Sequence, residues 1–420
     1  MKIKMIVTAA IIITVLFAGC RKPQKLQYDR PLAPGELGLR KITNPAELPD
    51  FTEGCYNLAN VARGIDNSLD YLKKPSSQQF FPYGLITHQE ASDSLKAFKR
   101  LIDSGARGSQ LHDAIIEQFD VYTSVGCDDK GTVLFTGYYT PIFDGSKTQT
   151  ERFKYPLYSQ PEDLVKGPNG EILGRKGADE KMTPYPPRAE IERSNMLKGK
   201  ELIWLADPFE VYIAHVQGSA KIRLPDGNLI TIGYAANNGY DYHGIAEQLV
   251  NDGIIPRDKL SLSAMIEYFK KNTSLVAKYT QLNPRFVFFR IGEGSPHGSI
   301  NEPVLPLRTI ATDKSIFPRA CLAFIVTTLP RSVGSGIYQD PYKGFALDQD
   351  AGGAIRAPGR CDVYMGEGDI AGKLAGQTYQ EGRLYYLFLK PAYRSTVPPE
   401  PPKSEPPKAD NPQTSPPTQN

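Results

Sequence analysis

The sequence predicts a mainly β protein with peripheral helices. Three observations carry this. Glycine and proline are abundant, 37 and 35 of 420 residues, as many tight turns require. Aromatic residues reach 10%, with 23 tyrosines, a residue type that suits pleated, half-buried surfaces. From Thr132 onward, short β-branched and aromatic runs alternate with Pro and Gly turns. The length allows one large domain or two to three ordinary ones. With 40% hydrophobic and 23% charged residues, the chain has a globular composition, which excludes a polytopic membrane protein and a wholly disordered one. Its 49 basic and 46 acidic side chains give a net charge of +3, too even for a nucleic-acid binder.

Residues 1–20 (MKIKMIVTAAIIITVLFAGC) place Lys2 and Lys4 before an apolar run that is short for a membrane span. Small residues then precede Cys20. This is the pattern of a secretion signal. The Leu-Phe-Ala-Gly-Cys stretch resembles a lipobox, with Cys20 as the acylated first residue of the mature chain; cleavage near Ala18 is the plainer alternative. Arg21 and Lys22 follow where inner-membrane lipoproteins carry Asp. In a Gram-negative cell this points to a lipid anchor in the outer membrane and a periplasmic body. Residues 21–45 are Pro-rich and polar, a tether. Cys55, Cys127, Cys321 and Cys361 remain. An oxidising compartment permits three pairings of four cysteines, and unpaired buried thiols fit equally well. None has metal-ligand spacing.

The first ordered segment reads as helical. Leu58, Val61, Ile65, Leu69 and Leu72 recur at helical spacing over 55–73, as do Leu95, Phe98, Leu101 and Ile102 over 92–104. Ser109 is placed to cap a helix that buries Leu111, Ile115, Ile116 and Phe119. Strands are expected at Val133–Thr140, Glu201–Leu205, Val211–Val216 and Lys221–Leu224, with a long Lys/Gly/Pro-rich surface loop over 160–190. Helices follow at Gly244–Asn251 and Ser261–Lys271. Strands return at Phe286–Arg290, Cys321–Thr327, Gly344–Asp348, Asp362–Met365 and Leu384–Leu389. The stretch 396–420 is Pro-rich, holds almost no large apolar residue, and is expected to be disordered or polyproline-like.

The five histidines, 88, 112, 215, 243 and 297, lie at no metal-binding spacing. His215 sits among apolar neighbours and reads as packed. There is no GxSxG, P-loop or GxGxxG before a helix, which disfavours a nucleophile-based hydrolase or a nucleotide enzyme. The informative stretch is Ala346–Gly366 (ALDQDAGGAIRAPGRCDVYMG). Asp348, Asp350 and Asp362 flank the Gly352–Gly353 pair there, and glycines allow the close backbone approach that a substrate groove needs. Asp313 lies one strand earlier, in ATDKSIFP. Aspartates in turns commonly bond local backbone instead.

The pair DKSIFP and QDAGGAIRAPGRCD resembles the 3D domain, whose three aspartates correspond here to Asp313, Asp350 and Asp362, within 313–366. Upstream, GYYTP (137–141), PPRAE (186–190), HVQGS (215–219), LPDG (224–227) and NPRFVFF (283–289) follow in the order of the membrane-bound lytic murein transglycosylase A family. The resemblance covers roughly 45–392. It implies a double-psi β-barrel catalytic domain from 46–144 and 255–395, a smaller β domain inserted at 145–254, and a groove between them. It implies cleavage of the β-1,4 bond between N-acetylmuramic acid and N-acetylglucosamine in peptidoglycan strands, without cofactor or metal, leaving a 1,6-anhydro end. One carboxyl suffices there, because the tethered C6 hydroxyl replaces the water that glycosidases activate. That role maps to Asp362, with Asp350 in support as neighbour or orienting partner. Thr140, Gln217, Gly218, Ser219, Gly352 and Gly353 would line the groove, and one of Tyr138 and Tyr139 would face it while the other packs inside. A non-catalytic wall-binding lipoprotein and a water-using hydrolase with paired aspartates are the alternatives.

Overall fold

The computed structural model describes residues 26–168 and 170–394. The expected signal with Cys20 and the Pro-rich tail at 396–420 lie outside the described residues.

Six strands pair into a closed barrel: Val133–Thr140, Thr309–Ala311, Leu322–Val333, Gly336–Asp350, Arg360–Glu367 and Tyr379–Leu389. Leu322–Val333 and Gly336–Asp350 form a long hairpin. Gly336–Asp350 runs parallel to Thr309–Ala311, and Arg360–Glu367 runs parallel to Val133–Thr140. Tyr379–Leu389 joins Leu322–Val333 to Val133–Thr140 and completes the ring, so the barrel leaves no open edge. Val133, Phe135, Cys361 and Val363 point into the main core. Their alternates Thr136, Tyr138, Arg360, Asp362 and Tyr364 therefore share the opposite face.

Three helices cover one side: Val61–Leu72, His88–Asp103 and Gly108–Gln118. Phe98 packs on Phe345 with ring centroids 4.7 Å apart. The second helix begins earlier than its apolar spacing suggests, because Thr87 and Glu90 form a capping box. Ser109 lies inside the third helix and does not cap it; Arg107 occupies that position without a side-chain cap bond.

The inserted unit has its own core and a six-stranded sheet: Val287–Gly292, Leu229–Asn237, Ser219–Arg223, Ile142–Ser146, Glu201–Leu205 and Tyr155–Tyr158 in spatial order. A bridge between Ser159 and Phe289 draws its two edges together. The unit does not end at 254. Phe269, Val276 and Tyr279 pack with Phe209 and Leu249, and Val287–Gly292 is one of its strands, so it runs on to Gly292.

Two further expectations change. Val211–Val216 is helical, within Pro208–Gln217. Asp207 accepts from Phe209 N at 2.7 Å, Pro208 opens the helix, and Gly218 at φ +75° ends it. Valines also stand on its less buried side, at 211 and 216, which hid the helical period. The 160–190 loop contains a three-stranded sheet, Leu164–Lys166, Ile172–Lys176 and Met182–Thr183.

The expected tether at 21–45 is docked from Tyr28 on, and its Leu39–Lys41 pairs as a strand with Phe119–Ser124. Tyr28 Oη donates to Glu381 at 2.6 Å, and Arg30 reaches Cys127 O at 2.7 Å and Asp129 at 2.6 Å. Cys55, Cys127, Cys321 and Cys361 are free, buried thiols. Among the described residues no helix is long and apolar enough to cross a membrane.

Candidate active site

The short strand Thr309–Ala311 sets the geometry. Ala311 pairs with Asp350 on one side and Asp362 on the other. Asp362 pairs in turn with Thr136, and Thr136 with Tyr379. The two aspartates thus share one row of the sheet, their backbones two strand spacings, about 10 Å, apart. A bulge between Ile310 and Ala311 inserts one extra residue opposite and re-aims Asp350 away from Asp348.

Asp362 is half-buried. Burial raises its carboxyl pKa above the ordinary range, against the hydrogen bond from Thr136 and the charge of Arg360. Arg360 Nη2 also lies 3.4 Å from Thr136 Oγ1. Asp350 is not the cause of the shift and makes no hydrogen bond to Asp362. It accepts from Tyr138 Oη, Ser299 N and Ala351 N, each at 2.8 Å. Burial pushes its pKa up as well, and these donors oppose the push.

Asp313 and Asp348 play other parts. Asp313 accepts from Ser315 N and Oγ at 3.0 and 2.6 Å and from Ala357 N at 3.0 Å, so it fastens two loops together. Asp348 is fully buried, bonded to Thr312 and Tyr386 at 2.7 Å each and ion-paired with Lys314.

Two of the places where the inserted unit meets the barrel flank the aspartates. At the end of its Pro208–Gln217 helix, Gln217 Oε1 accepts from Tyr139 N at 3.2 Å, which holds the Gln217–Ser219 turn beside the barrel. The space around Gly218 is open. At the second place Gly353 lies against Arg285; a Cβ on Gly353 would stand 3.2 Å from Arg285 Nε. Arg356 and Asp241 approach to 3.4 Å beside it. Thr140 departs from its expected position in the groove wall. It is buried, its hydroxyl 2.9 Å from Tyr364 Oη, and it supports the Tyr138–Tyr364 pair, whose centroids are 5.2 Å apart. Tyr139 packs inside and Tyr138 faces Asp350.

His215 is buried in the helix, accepting from Val287 N at 2.9 Å, and burial drives its pKa well down, so it stays neutral. PPRAE supplies Arg188, which is buried and holds Asn283 O and Arg285 O at 3.2 and 2.6 Å. Among the described residues no group of three or more His, Cys, Asp or Glu side chains is placed to hold a metal. Sequence reasoning missed Thr136, Arg360, Tyr364 and Ser299. Thr136 stood within the recognised VLFTGYYT strand, but its pairing with Asp362 joins positions 226 residues apart, which no local pattern reveals.

Residues 134–290 match the family model described as the MltA specific insert domain, and residues 308–388 match the 3D domain. The membrane-bound lytic murein transglycosylase A of Vibrio cholerae is 29% identical over 385 residues, covering 90% of this chain and 93% of that protein. The chain belongs to the membrane-bound lytic murein transglycosylase A family. The Escherichia coli protein of the same name is 28% identical over 276 residues, covering 65% of this chain and 70% of its own. In fold, the chain resembles the crystal structure of a membrane-bound lytic murein transglycosylase from Agrobacterium tumefaciens, with TM-score 0.69 and 22% identity over 85% of this chain and 99% of that one. It also resembles Escherichia coli MltA with bound chitohexaose, with TM-score 0.63 and 23% identity over 88% and 98% of the two chains. In this family member Asp350 and Asp362 stand on the barrel side, and the inserted unit approaches them through Gln217 and Arg285.

Proposed function

We propose that the chain is a lytic transglycosylase that cuts the β-1,4 bond between N-acetylmuramic acid and N-acetylglucosamine in peptidoglycan, using Asp362 as its one acid and base. The observation that carries the reading is the setting of Asp362: a carboxyl with partial access, a pKa raised by burial, and a donor ready for its ionised form.

A raised pKa keeps Asp362 protonated for donation to the leaving glycosidic oxygen. As that bond breaks, positive charge develops at the muramic C1. The Asp362 carboxylate then takes the proton from the C6 hydroxyl as its oxygen bonds to C1. The proton given is regained, the ring closes, and no water is consumed. Thr136 and Arg360 stabilise the carboxylate between the two transfers. Asp350 holds the wall through Tyr138 and Ser299; its oxygens are engaged by those donors, which suits a positioning residue better than a second base. Gln217, Gly218 and Ser219 on one side, and Gly352 and Gly353 on the other, line the groove for the glycan. Lipidation of Cys20 would hold the enzyme on the periplasmic face of the outer membrane.

Mass spectrometry of soluble products from purified peptidoglycan tests this. Anhydro-ended muropeptides from the wild type and none from Asp362→Asn are expected. Products carrying an added water would replace the reading with hydrolysis. Sedimentation with the wall but no products would replace it with a binding module.

A further inference from the structure

The strand that carries Asp362 continues into a second feature. A pocket of about 390 Å³ is lined by Leu134, Arg360 and Tyr379 of the barrel and by the segment Leu26–Asp29. Its volume falls within the ~300–1,000 Å³ range of small-ligand sites. Register places it beside the candidate acid. Arg360 precedes Asp362 by two residues, about 7 Å along one face. Leu134 pairs with Arg360, while Thr136 pairs with both Asp362 and Tyr379. Pocket and acid therefore occupy successive rows of one surface.

The lining has the groups that saccharides use. Tyr379 is 64% exposed and offers a ring face. Arg360 Nε is buried without a hydrogen-bond partner. Gln27 brings an amide that can both donate and accept. The remaining wall is the Leu26–Asp29 stretch of the expected tether, fixed by the Tyr28–Glu381 and Arg30–Asp129 contacts. Gly359 lets that segment lie close: a Cβ there would come within 2.6 Å of Cys127 Cβ and would also strike the Tyr28 carbonyl.

We propose that this pocket is a saccharide subsite contiguous with Asp362, and that residues Leu26–Asp29 form its wall. The proposal rests on the glycan-cleaving reading above and adds to it a site built partly from the anchor segment. Only five residues separate Cys20 from Leu26, six steps and at most about 20 Å of chain. A lipid on Cys20 would hold the subsite, and the glycan in it, within that reach of the membrane.

The test uses the mature chain carrying Asp362→Asn, so that bound sugar is not consumed. Calorimetry with chitohexaose gives the reference affinity. Adding Tyr379→Ala, or Tyr28→Phe with Arg30→Ala, is expected to weaken binding about fivefold with an unchanged Tm. Chitohexaose is also expected to slow amide exchange at residues 26–30, an effect a merely structural tether would not show. Unchanged affinity in both variants, with unchanged exchange at 26–30, overturns the subsite while leaving the function standing. Failure of Asp362→Asn to bind any chito-oligosaccharide, together with an absence of wild-type products from peptidoglycan, overturns the function itself.

Discussion

Thr136 donates its hydroxyl to Asp362 across the parallel pair of strands that seats both residues. This bond favours the ionised carboxylate and lowers the pKa that burial raises. Thr136→Val removes the donor, so the Asp362 pKa should rise further. In the proposed mechanism the first step needs the protonated acid, so the alkaline limb of the pH–rate profile should move to higher pH. The rate at the optimum should fall about tenfold, since the ionised form loses its donor. A profile with an unmoved alkaline limb would separate Thr136 from the proton transfer.

Asp362→Asn should remove turnover by at least about a thousandfold, because no second carboxyl is free to replace it. It should also stabilise the folded protein at neutral pH. A carboxyl whose folded pKa lies above its unfolded value contributes stability at low pH and loses it as pH rises through the folded pKa. The variant lacks that loss. Melting curves should show it more stable than wild type at pH 7, with the gap closing below the pKa of an unfolded aspartate. Equal pH dependence in the two proteins would contradict the raised pKa.

Asp350→Asn tests the division of labour between the aspartates. The amide oxygen can still accept from Ser299 N and Ala351 N, which both bond Oδ1, but the amide nitrogen that replaces Oδ2 cannot accept from Tyr138, so Tyr138 should lose its fixed position. Activity should drop about 10- to 100-fold while the products stay anhydro-ended and the alkaline limb stays in place. A loss equal to that of Asp362→Asn would put Asp350 in the chemistry.

Much of this was legible because the decisive residues cluster in sequence. ALDQDAGGAIRAPGRCDVYMG contains both aspartates of the row and the glycine loop. Val133–Thr140 and Glu201–Leu205 were readable as strands from their apolar and aromatic runs, and both have the bounds expected. Other features depend on distant partners. Thr309–Ala311, too short to show a period, sits between the two aspartates and defines their row. Asp348 and Asp350 look alike in sequence; a bulge sends one into the core and the other towards Tyr138. Val211–Val216 failed for a different reason. A helix that carries apolar Val211 and Val216 on its less buried side as well shows no amphipathic period, and its signals were at the ends, in Asp207, Pro208 and Gly218.

Glu210, on that same helix, gives a pH test of the inserted unit alone. Burial, aided by Asp207, raises its pKa to about 7. The unfolded carboxyl titrates near 4.5, so the shift favours the fold below that value. This contribution is lost as pH climbs through about 7. Glu210→Gln should therefore raise the Tm at pH 8 relative to wild type and leave it unchanged near pH 4. Activity scanned over the same range should keep the wild-type alkaline limb, because Glu210 makes no contact with Asp362.

The Lys314–Asp348 pair inside the barrel carries the largest expected loss of stability. Asp348 is fully buried and Lys314 nearly so, and burial lowers the lysine pKa while the aspartate opposes it. Removing one partner leaves the other charge without compensation, at a cost of about 3–5 kcal/mol. Lys314→Met should lower the unfolding free energy read from denaturant curves by that amount. The double variant Lys314→Met with Asp348→Leu deletes both charges and replaces them with apolar groups. It still costs the hydrogen bonds of Thr312 and Tyr386 to Asp348, about 1 kcal/mol each, yet should recover part of the single-variant loss. A double variant no more stable than Lys314→Met would show that the uncompensated charge is not what the single variant loses.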